Sequence, residues 1–144
     1  MSRLYSFVNS YLSEIQRGLQ TAKLVNEMWI NYVSCGYCPE KELMASWAQI
    51  GKTIIILDGG NHAALKQLNH MFIKNPNHYP FAHYYEDIDS LNGAMTVTGI
   101  ILPSKFDTRY DRDKMVARAL TSMREPKQDF DAKMSEVLLN SKTA

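Results

Sequence analysis

The run of residues 53–57 constrains the fold of this chain more than any other part of its sequence. It reads Thr-Ile-Ile-Ile-Leu, an unbroken β-branched and apolar stretch with the length of a strand. Such runs are typical of strands buried on both faces, as in parallel sheets that helices cover. We therefore predict a sheet centred on residues 53–57, in which Ile54, Ile55 and Ile56 are nearly inaccessible to solvent.

A strand followed by a helix is predicted at the start of the chain. Residues 4–12 hold an aromatic and β-branched run that indicates a first strand. Ser13 and Gln16 then fit a capping box, which marks the beginning of a helix. Apolar residues recur in this helix at spacings of three and four, and we expect them to form its buried stripe. They are Ile15, Leu19, Ala22, Val25, Trp29 and Val33.

The remaining sequence alternates between helical and extended patterns. The predicted elements are helices over 40–49, 63–72 and 113–123 and strands over 81–86 and 94–102. Asn92-Gly93 favours a hairpin between the last two strands. The weaker stripe of Phe130, Met134, Val137 and Leu138 fits either a docked helix or a loose tail.

Strands that alternate with helices imply a partly parallel sheet with helical cover. The expected fold class is α/β, a four-stranded mixed sheet flanked by helices in the order β-α-α-β-α-β-β-α. The chain has 144 residues, close to the commonest size of one domain. We assign residues 1–125 to a single α/β domain and residues 126–144 to a C-terminal helical or loosely ordered tail.

Charge and cysteine content narrow the class of protein. The formal net charge is +1, so overall charge indicates neither a nucleic-acid nor a membrane partner. The N-terminal residues lack the apolar core of a signal peptide. Two cysteines do not make a secreted disulfide scaffold. We therefore expect a cytoplasmic protein with reduced thiols.

The segment Cys35-Gly36-Tyr37-Cys38-Pro39 admits two interpretations. A redox pair of this spacing works when a helix N-terminus lowers the pKa of its thiol, and Pro39 suits the first turn of a helix. Redox pairs of the thioredoxin type follow a strand, however, and this segment follows a predicted helix. The other interpretation, which we favour, is a tight turn between helices with two replaceable thiols. We expect no metal site, since two thiolates need two further ligands to hold zinc.

Two further segments could bind phosphate. Residues 58–61, Asp-Gly-Gly-Asn, lie between a strand and a helix, where glycines allow close approach to backbone amides. A plain turn with Asn61 as the helix cap explains them better. Basic residues also follow the fourth strand, where they suit a solvated helix face or a track for phosphates. They are Lys105, Arg109, Arg112, Lys114, Arg118, Arg124 and Lys127.

The densest polar cluster is residues 83–89, His-Tyr-Tyr-Glu-Asp-Ile-Asp, at the end of a predicted strand. A histidine and three carboxylates in such a position can transfer protons. A solvated acidic loop before a hairpin turn is the alternative, and from the residues alone it is the simpler explanation.

Several segments in this order resemble a known family. They are residues 7–9, 16–22, 52–56, 84–87 and 93–100, the last of which reads Gly-Ala-Met-Thr-Val-Thr-Gly-Ile. They resemble segments of the type 2 peptidyl-tRNA hydrolases of archaea and eukaryotes and of the bacterial and phage relatives of these enzymes. The matching segments of that family are its first strand, its helix start, its second strand and the hairpin that ends in Thr-Val-x-Gly-Ile. The likeness covers roughly residues 3–103.

The resemblance implies hydrolysis of the ester between an acyl group and the ribose of tRNA, without a cofactor. It places the functional cleft between the start of the first helix and the loop at residues 86–89. The catalytic residues that it implies are Lys23, Glu86 and Asp87, and the substrate-binding residues are Gln20, His83, Asp89 and Thr96. The expected partners are tRNA and, in a homodimer, a second copy of the chain; no membrane is expected.

Two positions depart from the family pattern. Leu19 stands where the family has a lysine at the helix start, and Lys23 stands where it has a glutamine. An alternative therefore remains open, in which the chain keeps the fold but has lost the hydrolase residues. It would then be a binding or interaction module for a nucleotide, RNA or a partner protein.

Overall fold

A computed structural model describes residues 1–86, 93–106, 116 and 130–143. Its strands are β1 (Arg3–Asn9), β2 (Thr53–Gly60), β3 (Phe81–Tyr85) and β4 (Met95–Leu102). Its helices are α1 (Glu14–Val33), α2 (Pro39–Ser46), α3 (His62–Ile73) and α4 (Phe130–Asn140), with a π-helical turn at Trp47–Gly51 and a 3-10 turn at Ser104–Phe106. The helix predicted over 113–123 lies outside the described residues, apart from Val116.

The four strands form one mixed sheet in the order β2-β1-β4-β3. β1 runs parallel to β2 and antiparallel to β4. β4 pairs antiparallel with β3, as predicted for a hairpin, while Asn92 of the predicted turn lies outside the described residues. The α/β class and the four-stranded mixed sheet with helices are thus confirmed. β1 and β4 occupy the centre, and every residue of β4 is buried.

The prediction that residues 53–57 form the centre of the sheet is wrong. Along its length β2 pairs with β1, and on its outer side the described contacts are a single bridge between Leu57 and Thr143 and a hydrogen bond from the Asp58 amide to the Lys142 carbonyl. Ile54 is 43% exposed, while Ile55 and Ile56 are half-buried. A β-branched run records a local preference for extended backbone, whereas the position of a strand in its sheet depends on distant pairings.

The capping box is confirmed, since the Ser13 hydroxyl accepts from the Gln16 amide and the Gln16 side chain accepts from the Ser13 amide. The stripe predicted for this helix is wrong in part: Val25 and Trp29 are partly buried against the core, but the other four residues are not. Leu19 is 57% exposed, and Ile15, Ala22 and Val33 are exposed as well. The residues that α1 buries are Gln20, Thr21, Leu24 and Met28.

Hydrogen bonding explains the different buried face of α1. The Thr21 hydroxyl lies 2.9 Å from the Ser6 hydroxyl on β1, and Gln20 has side-chain partners beside the sheet. Buried polar groups are tolerated when they are paired in this way. An apolar periodicity cannot anticipate a face that is half polar.

Helices cover both sides of the sheet. On one side Phe7, Leu65 and Phe72 pack with Phe130, Met134 and Leu138 from α4. On the other side α1 and α2 pack through residues such as Leu24, Met28 and Met44. Residues Phe130–Asn140 of the C-terminal segment therefore form a docked helix. No helix among the described residues is both long enough and apolar enough to cross a membrane.

The turn between α1 and α2 holds both cysteines. The structure pairs Cys35 with Cys38 as a disulfide, with a Cα–Cα distance of 6.2 Å. That these thiols are reduced in the cell stays a prediction. The turn through Gly36 and Tyr37 brings the two Cα atoms within the range that a disulfide spans. Whether both residues can be replaced without loss of stability or activity stays a prediction.

Candidate functional site

A cleft of about 570 Å³ opens at the edge of the sheet where β1, β2 and β3 end and β4 begins. Helices α1 and α3 both start at this edge, so free backbone amides and the positive ends of two helix dipoles face it. Ligands of open α/β sheets collect at such edges. The residues that line the cleft include Asn9, Tyr11, Gln16, Gln20, His62 and Glu86.

Four side chains, from α1, from β4 and from the residue that follows β3, form a continuous polar chain beside this cleft. The Thr96 hydroxyl donates to Gln20 Oε1 at 2.7 Å, and Gln20 Nε2 donates to Glu86 Oε2 at 2.7 Å. Lys23 Nζ lies 3.4 Å from Glu86 Oε2 and 3.5 Å from Oε1. We call Thr96, Gln20, Glu86 and Lys23 the polar chain. All four were expected in the site from the family resemblance, and the structure brings them together.

A break in the strand pairing sets the position of Thr96. Tyr84 is paired with Val97, whereas Tyr85 is paired with Met95, so Thr96 is an extra residue on β4. Such a bulge redirects a side chain locally and is common beside functional sites. Here the buried Thr96 hydroxyl meets Gln20 on α1. The sequence does not reveal this bulge, because its residues also suit a regular strand.

Burial distinguishes the two charged members of the polar chain. The Glu86 side chain is 13% exposed, and that of Lys23 is 43% exposed. Lys23 also lies over the ring of Tyr84, with Nζ 5.0 Å from the ring centroid, which is within the range of a cation–π contact. The carboxylate is therefore the enclosed group, held by an amide from inside and by a more exposed ammonium from outside.

His62 lines the cleft and was not expected in the site. It is the first residue of α3, and its Nδ1 accepts a hydrogen bond of 2.8 Å from the Met95 amide. The neutral imidazole therefore carries its proton on Nε2, where it can be donated to a ligand. The signal available in the sequence was the turn at residues 58–61, which places the next residue at a helix start. Asn61 caps α3 as predicted, since its side chain accepts from the Ala64 amide.

His83 does not belong to the polar chain. Its ring packs edge-on against Tyr85, with centroids 5.3 Å apart. Burial lowers the pKa of this imidazole below its ordinary value of 6.5, and the opposing effect of Glu27 does not reverse the shift. His83 is therefore mainly neutral at pH 7. Asp87 and Asp89, the other predicted site residues, lie outside the described residues.

The basic residues predicted to follow β4 also fall largely outside the described part of the chain. Lys105 is the exception, and it forms an ion pair with Asp131 at the start of α4. No group of three His, Cys, Asp or Glu residues in the described part of the chain is placed to hold a metal ion. The chemistry that the described cleft offers is an enclosed carboxylate, a nearby cation, an imidazole N–H and the amides of two helix starts.

The chain matches no protein-family model, and a search among curated protein sequences finds no match.

Proposed function

We propose that this protein hydrolyses the ester that links an acyl group to the ribose of tRNA, as its resemblance to the type 2 peptidyl-tRNA hydrolases implies. The observation that carries the proposal is the polar chain of Thr96, Gln20, Glu86 and Lys23 beside the cleft. Ester hydrolysis needs a base for the attacking water and a donor for the oxyanion that develops.

Glu86 is the base in this proposal. Its carboxylate takes a proton from a water molecule as that water attacks the ester carbonyl, and the same proton then goes to the departing ribose oxygen. Gln20 holds the carboxylate through its 2.7 Å hydrogen bond and is itself held by Thr96. A fixed geometry of this kind lowers the cost of reaching the transition state.

The departure at Leu19 is compatible with this scheme. Leu19 is exposed, whereas Lys23, one helical turn later, reaches the carboxylate. We assign Lys23 and the Nε2–H of His62 as the donors for the developing oxyanion. The cation of the site thus comes from a different position on the same helix.

The test is release of the acyl group from acyl-tRNA by the wild type and by Glu86→Gln. We expect Glu86→Gln to lower the rate about 10²- to 10⁴-fold, since it removes the base but keeps the size of the side chain. Glu42→Gln, on the exposed surface of α2, is the matched control and should keep the wild-type rate. Melting temperatures of both variants should stay close to that of the wild type. Equal rates for Glu86→Gln and the wild type would exclude Glu86 as the base.

One observation favours the alternative of a binding module. Both oxygens of Glu86 contact protein groups, Gln20 and Lys23, so the carboxylate can serve as a structural partner that shapes the cleft. A module of this kind would bind a nucleotide, RNA or a partner protein without turnover. In that case acyl-tRNA stays intact, while Lys23→Ala and Glu86→Gln change binding in a salt titration.

A further inference from the structure

Helix α3 and its C-terminal cap carry a histidine or a lysine at every fourth residue. His62, Lys66, His70 and Lys74, its C-terminal cap, follow one another at this spacing, and the helix contains no acidic residue. Successive members are about 6 Å apart along the helix axis and about 40° apart around it, so the four span about 18 Å on a gently winding track. We call them the α3 stripe.

The α3 stripe faces solvent beyond its first member. Lys66, His70 and Lys74 are exposed, and none of them forms an ion pair within the part of the chain that the structure describes. The lysine ammonium groups left without partners on this surface are available to a ligand of opposite charge.

The two ends of the α3 stripe reach different clefts. His62 lines the cleft of the polar chain, whereas His70 and Lys74 line a second groove of about 640 Å³ between α3 and α4. Lys133 adds a cation to this groove and Glu136 an anion. The stripe therefore leads from the proposed ester site along α3 to a second basic region.

Exposed aromatic rings stand at the cleft end of the stripe. Tyr85 is 41% exposed, and its ring centroid lies 6.3 Å from that of His62. Tyr11, which lines the same cleft, is 89% exposed. Aromatic rings beside a basic track are the combination with which proteins hold single-stranded nucleic acids, because bases stack on the rings while phosphates follow the cations.

We propose that the α3 stripe binds the phosphate backbone of the single-stranded 3′ end of an RNA, with a base stacked on Tyr85 and the terminal ribose at the polar chain. This inference rests on the proposed function, since it assigns the RNA part of that substrate to a surface. The step of about 6 Å between successive members is comparable to the distance between neighbouring phosphates of an extended strand. An acidic protein segment would match the charge but would not need the rings.

Fluorescence anisotropy with a labelled, unacylated single-stranded RNA of about 12 nucleotides measures this binding separately from hydrolysis. The affinity should fall with salt, and each lost phosphate contact should reduce the slope of log K against log salt by about 0.7. We expect Lys66→Ala with Lys74→Ala to reduce the slope by about 1.4, the sum of two such contacts. The control pair Lys41→Ala and Lys52→Asn removes the same charge from α2 and from the turn before β2, and it should keep the wild-type slope.

Stacking is tested with Tyr85→Leu, which should weaken binding about fivefold or more without changing the salt slope, as loss of one base–ring contact does. An unchanged slope in the Lys66 and Lys74 variant overturns the proposal, even if acyl-tRNA is hydrolysed. Equal displacement of the RNA by polyglutamate of the same total charge, together with a silent Tyr85→Leu, overturns it in favour of an acidic protein partner. Stripe-dependent RNA binding without any turnover supports the inference while rejecting the proposed hydrolysis.

Discussion

Two threonines of β4 connect the sheet to its helices on opposite sides. Thr96 and Thr98 are fully buried. The Thr96 hydroxyl bonds to Gln20 on α1, and the Thr98 hydroxyl lies 3.3 Å from Asn69 Oδ1 on α3 and 3.1 Å from the Ala82 carbonyl. Both are residues whose loss would leave a buried polar group without a partner. In the proposed function only Thr96 also holds a member of the catalytic site.

This difference allows stability to be separated from function. We expect Thr96→Val to lower the free energy of unfolding by about 1–3 kcal/mol, because it leaves Gln20 Oε1 unsatisfied. It should also slow acyl-ester hydrolysis, since Gln20 is then free to turn away from Glu86. Thr98→Val should cost similar stability but keep the rate. Chemical denaturation measures the loss of stability of each variant, and the hydrolysis assay measures its rate. Equal rates for the two variants would show that Thr96 has a structural role alone.

At the scale of elements, Gly99 on β4 leaves no room for a side chain where α1 packs against the sheet. A Cβ on Gly99 would lie 2.5 Å from Leu24 Cδ2 and 2.7 Å from the Tyr5 carbonyl oxygen. The second of these atoms belongs to the backbone of β1 and cannot turn aside. Gly18, within α1, has no atom within 4 Å of such a Cβ. Gly99 therefore allows α1 to pack closely on the sheet, whereas Gly18 lies where a larger side chain would meet nothing.

Alanine at these two glycines should have opposite effects on stability. Gly99→Ala should lower the free energy of unfolding by about 1–3 kcal/mol, as overpacking does, because α1 must move away from β4. Gly18→Ala should raise it by about 0.5–1 kcal/mol, because alanine loses less backbone entropy in a helix. Urea denaturation measures both. A stable Gly99→Ala variant would mean that α1 does not pack this closely against β4.

At the scale of the whole molecule, the order of the strands determines which apolar residues form the core. Leu4 on β1 lies between two isoleucines in one row across the sheet, Ile54 on β2 and Ile101 on β4. Ile101 is completely buried, whereas Ile54 is 43% exposed. The same residue type therefore contributes much more to the core on the β4 side of β1 than on the β2 side.

This row of the sheet gives a direct test of the strand order. Ile101→Ala should lower the free energy of unfolding by about 2–5 kcal/mol, the usual cost of such a deletion in a packed core. Ile54→Ala should lower it by about 1 kcal/mol or less, as expected for a partly exposed site. The comparison uses one kind of substitution and one kind of measurement. Similar losses at both positions would contradict the placement of β2 at the edge.

The sequence by itself determined the local elements of this protein. The capping box at Ser13 and Gln16, the Asn61 cap, the hairpin of β3 and β4 and the alternation of strands with helices all depend on residues close together in the chain. Family resemblance added Gln20, Lys23, Glu86 and Thr96 as candidate site residues, and these lie together in the structure.

Only the tertiary structure decided where these elements lie and which faces they bury. The position of β2 at the edge, the polar buried face of α1, the bulge at Thr96 and the presence of His62 in the cleft all result from contacts between distant parts of the chain. Local propensity specifies that a segment is extended or helical, because it depends on backbone and side-chain rotations within a few residues. The neighbours of that segment depend on which arrangement pairs the buried polar groups and packs the apolar ones best, and this is a property of the whole chain.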